Sequence, residues 1–480
     1  MSGRLVLFIL GRTLLSAGAL LLLPLFFSLY DRSADVLVFG LSSLGVMAVG
    51  ILLLAAGREH RRQLRAREGA VLMVCIWCVL GAVGMLPYLC TGQLNGLDAF
   101  FESVSGFTTT GASCLPADAS RALVLWRSMT QWLGGLNIII LLVTIIPQVS
   151  GCFGISLSVH QSISFSQMIG RMRRVAAGVS LVYLGVSLLA VLLYLLCGLG
   201  LFDALNWSLV TLSTSGCYDA DSLRQGGWLM QLVTGLCMLC ASGNFLLYWK
   251  AAQRRDLISL LRDAELRAFC LVLVIAGGLV SWSLWHRHLY GLADSLRYGF
   301  FQVISFASTT GIFLDDVSSW PDFTRYILFI LVFMGGCIGS STGGLKVMRL
   351  LVLGKMAAAG MRRTLHPHIV LNIVVDHVTV PMKTVGRILS FFFLYMMVFF
   401  LSVLVISLSG MTVPEAMGTA AGCLGSVAAA ARLQGNVGSY VMFPAWLKLF
   451  CCFLMILGKL EIFSFLIVLQ TGLRHLRHRW

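Results

Sequence analysis

Charged residues are scarce in this sequence, which excludes an ordinary soluble protein. Only 11% of its 480 residues are charged, whereas 58% are hydrophobic. Soluble domains have about 25% charged and about 45–50% apolar residues. Apolar runs such as 36–56 and 179–201 reach the roughly 20 residues that a helix needs to cross a bilayer. No small-residue cleavage site ends the first run, at 20–30, so we expect a span there and not a signal peptide. The sequence therefore predicts an all-α polytopic membrane protein.

Acidic residues are rarer than basic residues. The chain has 20 Asp and Glu and 35 Lys and Arg, which gives a net charge of +15. In a soluble protein that charge would suggest nucleic acid, but no aromatic or nucleic-acid motif accompanies the basic residues. They stand in short blocks between apolar runs, which is typical of cytoplasmic loops and of contacts with membrane lipids. We therefore expect no nucleic-acid partner. The blocks lie at 58–67, 171–174, 250–267, 346–363 and 474–479.

Clusters of metal-binding or catalytic side chains are also missing from the sequence. The pairs Cys75/Cys78 and Cys237/Cys240 have a metal-like spacing, but each lies in an apolar run without nearby histidine. A zinc site needs about four such ligands. The histidines are scattered, and no nucleophile or acid pair joins them at membrane depth. We expect neither a covalent cofactor nor enzyme activity.

Four similar segments recur along the chain. Each has an apolar stretch of about ten residues, which is too short to span a bilayer and indicates a re-entrant helix. A turn of small residues with a glycine follows, and the first and third segments, 101–111 and 301–311, match most closely. An acid near the start of each short helix suits the positive end of its dipole, so the negative end faces the turn and favours a cation there. The acids are Asp98, Asp203, Asp294 and Glu415, and the glycines are Gly111, Gly216, Gly311 and Gly425.

These segments predict ten spanning helices, two N-terminal and eight in four helix–pore-loop–helix repeats in a pseudo-fourfold arrangement. An N terminus inside the cell puts every basic block on the cytoplasmic side. The expected divisions are 1–68 for the two N-terminal helices, 69–174, 175–267 and 268–385 for the first three repeats, and 386–480 for the fourth.

The glycine turns have the chemistry of a cation filter. A bend at membrane depth must satisfy its backbone groups against protein or water, and glycine allows a positive φ where backbones crowd. Four turns around one axis would aim carbonyl oxygens at a common line, and such rings replace the hydration shell of a cation. The candidate filter residues are Thr109, Thr110, Gly111, Thr214, Ser215, Gly216, Thr309, Thr310, Gly311, Cys423, Leu424 and Gly425.

Together these features resemble the membrane subunit of bacterial Trk-type potassium uptake systems, within the Trk/Ktr/HKT superfamily. The resemblance covers essentially the whole chain, and the two extra N-terminal helices fit the Trk branch. It implies a single-chain pore with potassium as its substrate, bound in part by Thr109, Thr110, Thr309 and Thr310. It also implies the bacterial inner membrane, cytoplasmic termini, a homodimer and a cytosolic regulatory subunit with nucleotide-binding domains.

A second motif interrupts the second expected span of the third repeat. Consecutive glycines break a helix, and irregular backbone at membrane depth is tolerated only against protein or a cavity. In the family a similar segment is a mobile gate below the filter, and Lys459 stands where relatives have an arginine that opposes free cation flow. Leu345 stands where a phosphate loop needs lysine, which excludes nucleotide binding. The implied gate residues are Gly335, Gly336, Gly339, Ser340, Ser341, Thr342, Gly343, Gly344 and Lys459.

The fourth turn departs from the family pattern. Residues 423–427 read Cys-Leu-Gly-Ser-Val where relatives commonly have Asn-Leu-Gly-Pro-Gly, and four alanines follow at 428–431. Cys217, directly after the second glycine, is a smaller departure.

Several alternatives stay open at this point. The turn glycines can serve helix packing, the interrupted helix can be a static kink, and Lys459 can snorkel or pair with Glu461. For the function, the alternative is a sodium- or proton-coupled symporter. Such transporters usually have inverted repeats, whereas these repeats run in the same sense.

Overall fold

The structure is a computed structural model that describes residues 3–57, 66–144, 165–217, 220–256, 258–366, 372–376, 378–434 and 440–460. The chain forms two compact units. The first consists of Met1–Gly134 with Gly438–Trp480, and the second consists of Gly135–Val437. Both are mainly helical, as the sequence predicts.

The first unit contains the two N-terminal apolar segments, Val6–Tyr30 and Val36–Ala56, which are long and apolar enough to cross a membrane. They pack closely, since a Cβ on Gly11 would lie 2.8 Å from the carbonyl oxygen of Gly50. Small residues allow such close backbone contact between membrane helices. The helices of this unit are Gly3–Leu20, Leu22–Tyr30, Val36–Ala56, Ala66–Gly84, Leu86–Cys90, Gly96–Phe107 and Ala445–Lys459, with a 3-10 turn at Tyr440–Met442; helix Arg121–Thr144 begins here and continues into the second unit.

The second unit contains three further helices long enough to span, Arg174–Leu196, Ala264–His286 and Met382–Ser407. Helices Gly227–Ser242 and Phe245–Arg254 form a pair that is bent by 91°. The helices are Phe165–Leu196, Leu201–Leu212, Ala220–Gln225, Gly227–Ser242, Phe245–Arg254, Ile258–Arg262, Ala264–His286, Leu292–Ala307, Asp322–Met334, Val347–Leu365, Met382–Ser407, Val413–Gly425 and Ala430–Gln434, with a 3-10 turn at Val317–Ser319.

A two-stranded antiparallel hairpin, Val374–Val375 with Val378–Thr379, is an element that the sequence did not predict. Val374 pairs with Thr379, and Val375 pairs with Val378. Val375 packs in a small apolar cluster with Val352 and Val385 from the flanking helices. The hairpin therefore connects the helix that begins at Val347 to the one that begins at Met382.

Five long apolar helices and one bent pair, among the described residues, confirm the prediction of a multi-pass membrane protein. Ten spans and four repeats remain a prediction. All four predicted boundaries fall inside continuous helices. The boundaries after residues 68, 174, 267 and 385 lie in Ala66–Gly84, Phe165–Leu196, Ala264–His286 and Met382–Ser407, respectively.

Four short helices lie where the sequence predicts them, with 12, 12, 16 and 13 residues. We name them the first to fourth short helix, in chain order: Gly96–Phe107, Leu201–Leu212, Leu292–Ala307 and Val413–Gly425. Each has its predicted acid in the first turn. The fourth begins with a capping box, in which the N–H of Thr412 donates to Glu415 at 2.9 Å.

Candidate functional site

The first three short helices end in turns with one shared backbone conformation. Thr109, Thr214 and Thr309 have φ of 53°, 58° and 57°, in the left-handed region. A β-branched residue rarely adopts that region, so the surrounding structure must hold it there. In each turn the next N–H donates to a carbonyl five residues back, as helix C-termini often do. These bonds are Thr110 to Ser105 at 2.9 Å, Ser215 to Val210 at 3.2 Å and Thr310 to Ser305 at 2.9 Å.

The glycine that follows each of these turns is required by the backbone. Gly111, Gly216 and Gly311 have φ of 78°, 63° and 74°, where L residues are strained. Space is also lacking at the second of them, because a Cβ on Gly216 would overlap the carbonyl oxygen of Thr310. The second and third turns are therefore in direct backbone contact.

The fourth turn has the same backbone at its start, but three residues later than predicted. Ser426 is left-handed with φ of 57°, and the N–H of Val427 donates to the carbonyl of Gly422 at 2.8 Å. Ser426 therefore corresponds to Thr109. Gly425 is the last residue of the fourth short helix.

The prediction that aligned Gly425 with Gly111 is consequently wrong in its register. The residue that corresponds to Gly111 is Ala428, which does not have a positive φ. Cys423 and Leu424, predicted as filter residues with Gly425, lie buried in the last turn of the helix.

The threonine hydroxyls of the first and third turns are occupied by protein partners. The hydroxyl of Thr110 lies 2.9 Å from that of Thr108, and the hydroxyl of Thr310 lies 2.8 Å from that of Ser308. Thr309 accepts a hydrogen bond from the N–H of Gly343 at 3.2 Å. These hydroxyls stabilise the turns.

A side chain behind the first turn and one behind the third hold the segment that follows the glycine. A carboxylate oxygen of Glu102 accepts from the N–H of Cys114 at 2.6 Å. In the third turn, the amide of Gln302 donates to the carbonyl of Ile312 at 3.1 Å and accepts from the N–H of Leu314 at 3.3 Å. The sequence alignment placed Glu102 opposite Gln302 but did not identify this role.

The glycine-rich motif interrupts a helix, as predicted. Helix Asp322–Met334 ends before Gly335, whose φ is 67°, and the next helix begins at Val347. We name residues 335–346 the interruption loop. A Cβ on Gly335 would overlap the carbonyl oxygen of Gly343, so the two ends of the loop touch.

The interruption loop lies against the ends of three short helices. The hydroxyl of Ser341 donates to the carbonyl of Leu212, the last residue of the second short helix, at 3.0 Å. Gly343 binds Thr309 in the third turn. A Cβ on Gly343 would also overlap the carbonyl oxygen of Gly425 and lie 3.0 Å from the side chain of Ser426. The predicted gate residues of the interruption loop and the second, third and fourth turns therefore form one cluster.

Lys346 closes the interruption loop and was not predicted as a site residue. It is buried and has φ of 71°. Its ammonium donates to the carbonyl of Thr342 at 2.5 Å, to the hydroxyl of Thr342 at 2.9 Å and to the hydroxyl of Ser340 at 3.3 Å. Its position two residues after the last glycine, Gly344, was the available signal, but the sequence grouped it with a block of basic residues.

Two buried lysines of the first unit bind the first short helix and its turn. Lys459 donates to the hydroxyl of Thr109 at 2.6 Å, so it does not snorkel. Its predicted partner, Glu461, lies outside the described residues. Lys448 forms a buried ion pair with Asp98 at the start of the first short helix. The acid predicted to suit the helix dipole is thus also neutralised by a cation.

Comparison with known proteins places the chain in a family. A sequence model of TrkH, described as a cation transport protein, matches residues 39–473. The Trk system potassium uptake protein TrkH of Halomonas elongata is 31% identical over 98% of each chain, and TrkG of Escherichia coli K12 is 29% identical over 94% of each. The crystal structure of the potassium transporter TrkH from Vibrio parahaemolyticus has a TM-score of 0.88, with 28% identity over 98% of this chain and 99% of that one. The chain therefore belongs to the TrkH family of cation transport proteins, and it is a multi-pass membrane transporter and not an enzyme.

Proposed function

We propose that this protein takes up potassium across the bacterial inner membrane through a gated, channel-like pore with a filter built from its re-entrant turns. One observation carries the proposal: the same strained threonine followed by a left-handed glycine recurs in three turns of one chain. Such strain persists only where the structure enforces it, and it concentrates at functional sites. The names of the relatives as potassium uptake proteins support potassium as the ion.

Backbone carbonyls, and not threonine hydroxyls, are the proposed ion ligands. The hydroxyls of Thr110 and Thr310 bond within their own turns, and that of Thr309 bonds Gly343. Carbonyl oxygens can replace the hydration shell of potassium without adding fixed charge. The fourth turn has Ala428 where the other three have a glycine. Its contribution to ion binding is therefore proposed to differ from theirs.

The interruption loop is the proposed gate. It lies against the second, third and fourth turns through Ser341 and Gly343, so ions leaving these turns meet it. Its residues 339–344 are all small, and a small displacement of this stretch would open a path. We further propose cytoplasmic termini, a homodimer and a cytosolic nucleotide-binding regulator, which are supported by the basic blocks of the sequence and by the resemblance to Trk systems.

The test is ion flux through the purified protein in liposomes. We expect rubidium, a potassium analogue, to enter in preference to sodium, and Gly111→Ser and Gly311→Ser to lose most of that preference. Gly185→Ser is the matched control, because a Cβ there has no neighbour within 4 Å. Unchanged preference in both filter variants would contradict the filter assignment.

The same liposomes separate a channel from the coupled alternative. Flux that follows an imposed potassium gradient, and that neither an uncoupler nor external sodium alters, supports the channel-like pore. Flux that requires sodium or a proton gradient supports the symporter.

A further inference from the structure

Glu265 joins the interruption loop to the helix that follows it. This residue lies in the first turn of helix Ala264–His286 and is only 2% exposed. A single carboxylate oxygen accepts from the N–H of Ile338 at 2.8 Å and from the N–H of Met348 at 3.1 Å. Ile338 lies within the loop, whereas Met348 lies in the first turn of helix Val347–Leu365.

Backbone groups also anchor the loop on this side. The N–H of Cys337 donates to the carbonyl of Ser242 at 2.8 Å, and the N–H of Phe245 donates to the carbonyl of Gly339 at 3.3 Å. These contacts fix the first half of the loop to the bend between helices Gly227–Ser242 and Phe245–Arg254. Glu265 holds both this first half of the loop and the start of the helix that follows the loop, through one carboxylate oxygen.

Lys346 also holds the loop together from within. Its ammonium binds Thr342 and Ser340 inside the loop. If the loop moved away from Glu265, the partly buried N–H groups of Ile338 and Met348 would lose their acceptor, which is unfavourable away from water.

We propose that Glu265 is a latch that holds the interruption loop against the turns. It is a positioning residue, since it acts on the ion path through the backbone of the loop. The consequence for ion flow rests on the proposed function, in which this loop is the gate.

The test compares Glu265→Ala, which removes the acceptor, with Glu265→Gln, which keeps an oxygen in its place. The readout is alkylation of Cys337, a buried thiol inside the loop, with buried Cys451 on helix Ala445–Lys459 as the internal reference. Both rates are measured by mass spectrometry on the purified full chain. Asp256→Ala is the matched control, because Asp256 is an exposed carboxylate that binds backbone N–H groups of Ile258 and Ser259.

We expect Glu265→Ala to raise the Cys337 rate about tenfold, the combined equilibrium effect of two modest hydrogen bonds, and to leave Cys451 unchanged. Glu265→Gln is expected to remain within about threefold of the unmodified protein, since its amide oxygen can still accept these bonds. An unchanged Cys337 rate in the alanine variant overturns the latch. A parallel rise at Cys451 also overturns it, because the residue would then support the fold as a whole.

Rubidium flux in liposomes without a regulator is the second readout. Increased flux in Glu265→Ala supports both the latch and the gate. A faster Cys337 reaction with unchanged flux supports the latch and counts against the loop as the gate, so the two ideas fail separately.

Discussion

Glu102 is a buried carboxylate that holds the backbone after the first turn. It binds the N–H of Cys114 and the hydroxyl of Ser113, and the guanidinium of Arg127 donates to the same hydroxyl at 3.3 Å. Gln302 makes comparable backbone contacts in the third turn. The amide in that position indicates that hydrogen bonding, and not charge, is what the turn needs.

Glu102→Ala should therefore lower the rubidium-over-sodium preference in liposomes, whereas Glu102→Gln should retain it. The alanine variant leaves the buried N–H of Cys114 without its acceptor, which costs about 1–3 kcal/mol. A loss of preference in both variants would show that the charge is essential.

At the residue scale, the sequence predicts the first three turns well because glycine and threonine coincide there with a real backbone requirement. In the fourth turn it follows the glycine and misses the register. The left-handed position there is Ser426, defined by the bond from Val427 to Gly422. A serine at that position gives no sequence signal, since serine is common in every kind of turn.

At the scale of elements, Tyr290 joins the segment before helix Leu292–Ala307 to the segment that follows this helix. Its hydroxyl donates to the carboxylate of Asp315 and accepts from the indole N–H of Trp320 at 3.2 Å. Burial, and then the bond to Asp315, raise the pKa of Tyr290 to about 12. The neutral phenol is thus the form that the folded protein favours.

This contact predicts an alkaline loss of stability. A tyrosine whose pKa is raised on folding contributes fully below its unfolded pKa of about 10. The contribution disappears as the pH rises through about 12. Tyr290→Phe should therefore lower the unfolding temperature at pH 8, and the difference should shrink as the pH rises above 10. Tyr326→Phe, an exposed tyrosine, is the control; a difference independent of pH would contradict the assignment.

The sequence predicts the position of the interruption loop but not the contacts that anchor it. Its glycines predict the break in the helix, because glycine disfavours a helix at interior positions. Its anchors are not visible in the sequence, since Glu265 is 73 residues from Ile338 and Ser341 is 129 residues from Leu212. Such contacts depend on tertiary packing and leave no local pattern.

At the scale of the whole molecule, the basic residues determine the expected orientation. Alkaline phosphatase fused after Asp118 should be active, and the same enzyme fused after Arg255 should be inactive, because its disulfides form only outside the cytoplasm. Asp118 follows the first turn, whereas Arg255 lies in a basic block. Green fluorescent protein at the same two sites should give the opposite pattern. Phosphatase activity after Arg255 would reverse the proposed topology.

The overall class was predictable because membrane spans need only composition and length. The division into two units was not, since the first unit joins the two ends of the chain. Lys459 and Thr109, for example, are 350 residues apart in the sequence.

The bond from Lys459 to Thr109 has a consequence for saturation kinetics. An ammonium group is a monovalent cation of about the size of potassium, and here it is covalently tethered beside the first turn. Its effective concentration is set by the chain and not by the medium. Within the proposed pore, this fixed positive charge repels each ion that approaches the first turn, so the half-saturating potassium concentration includes the work against that repulsion.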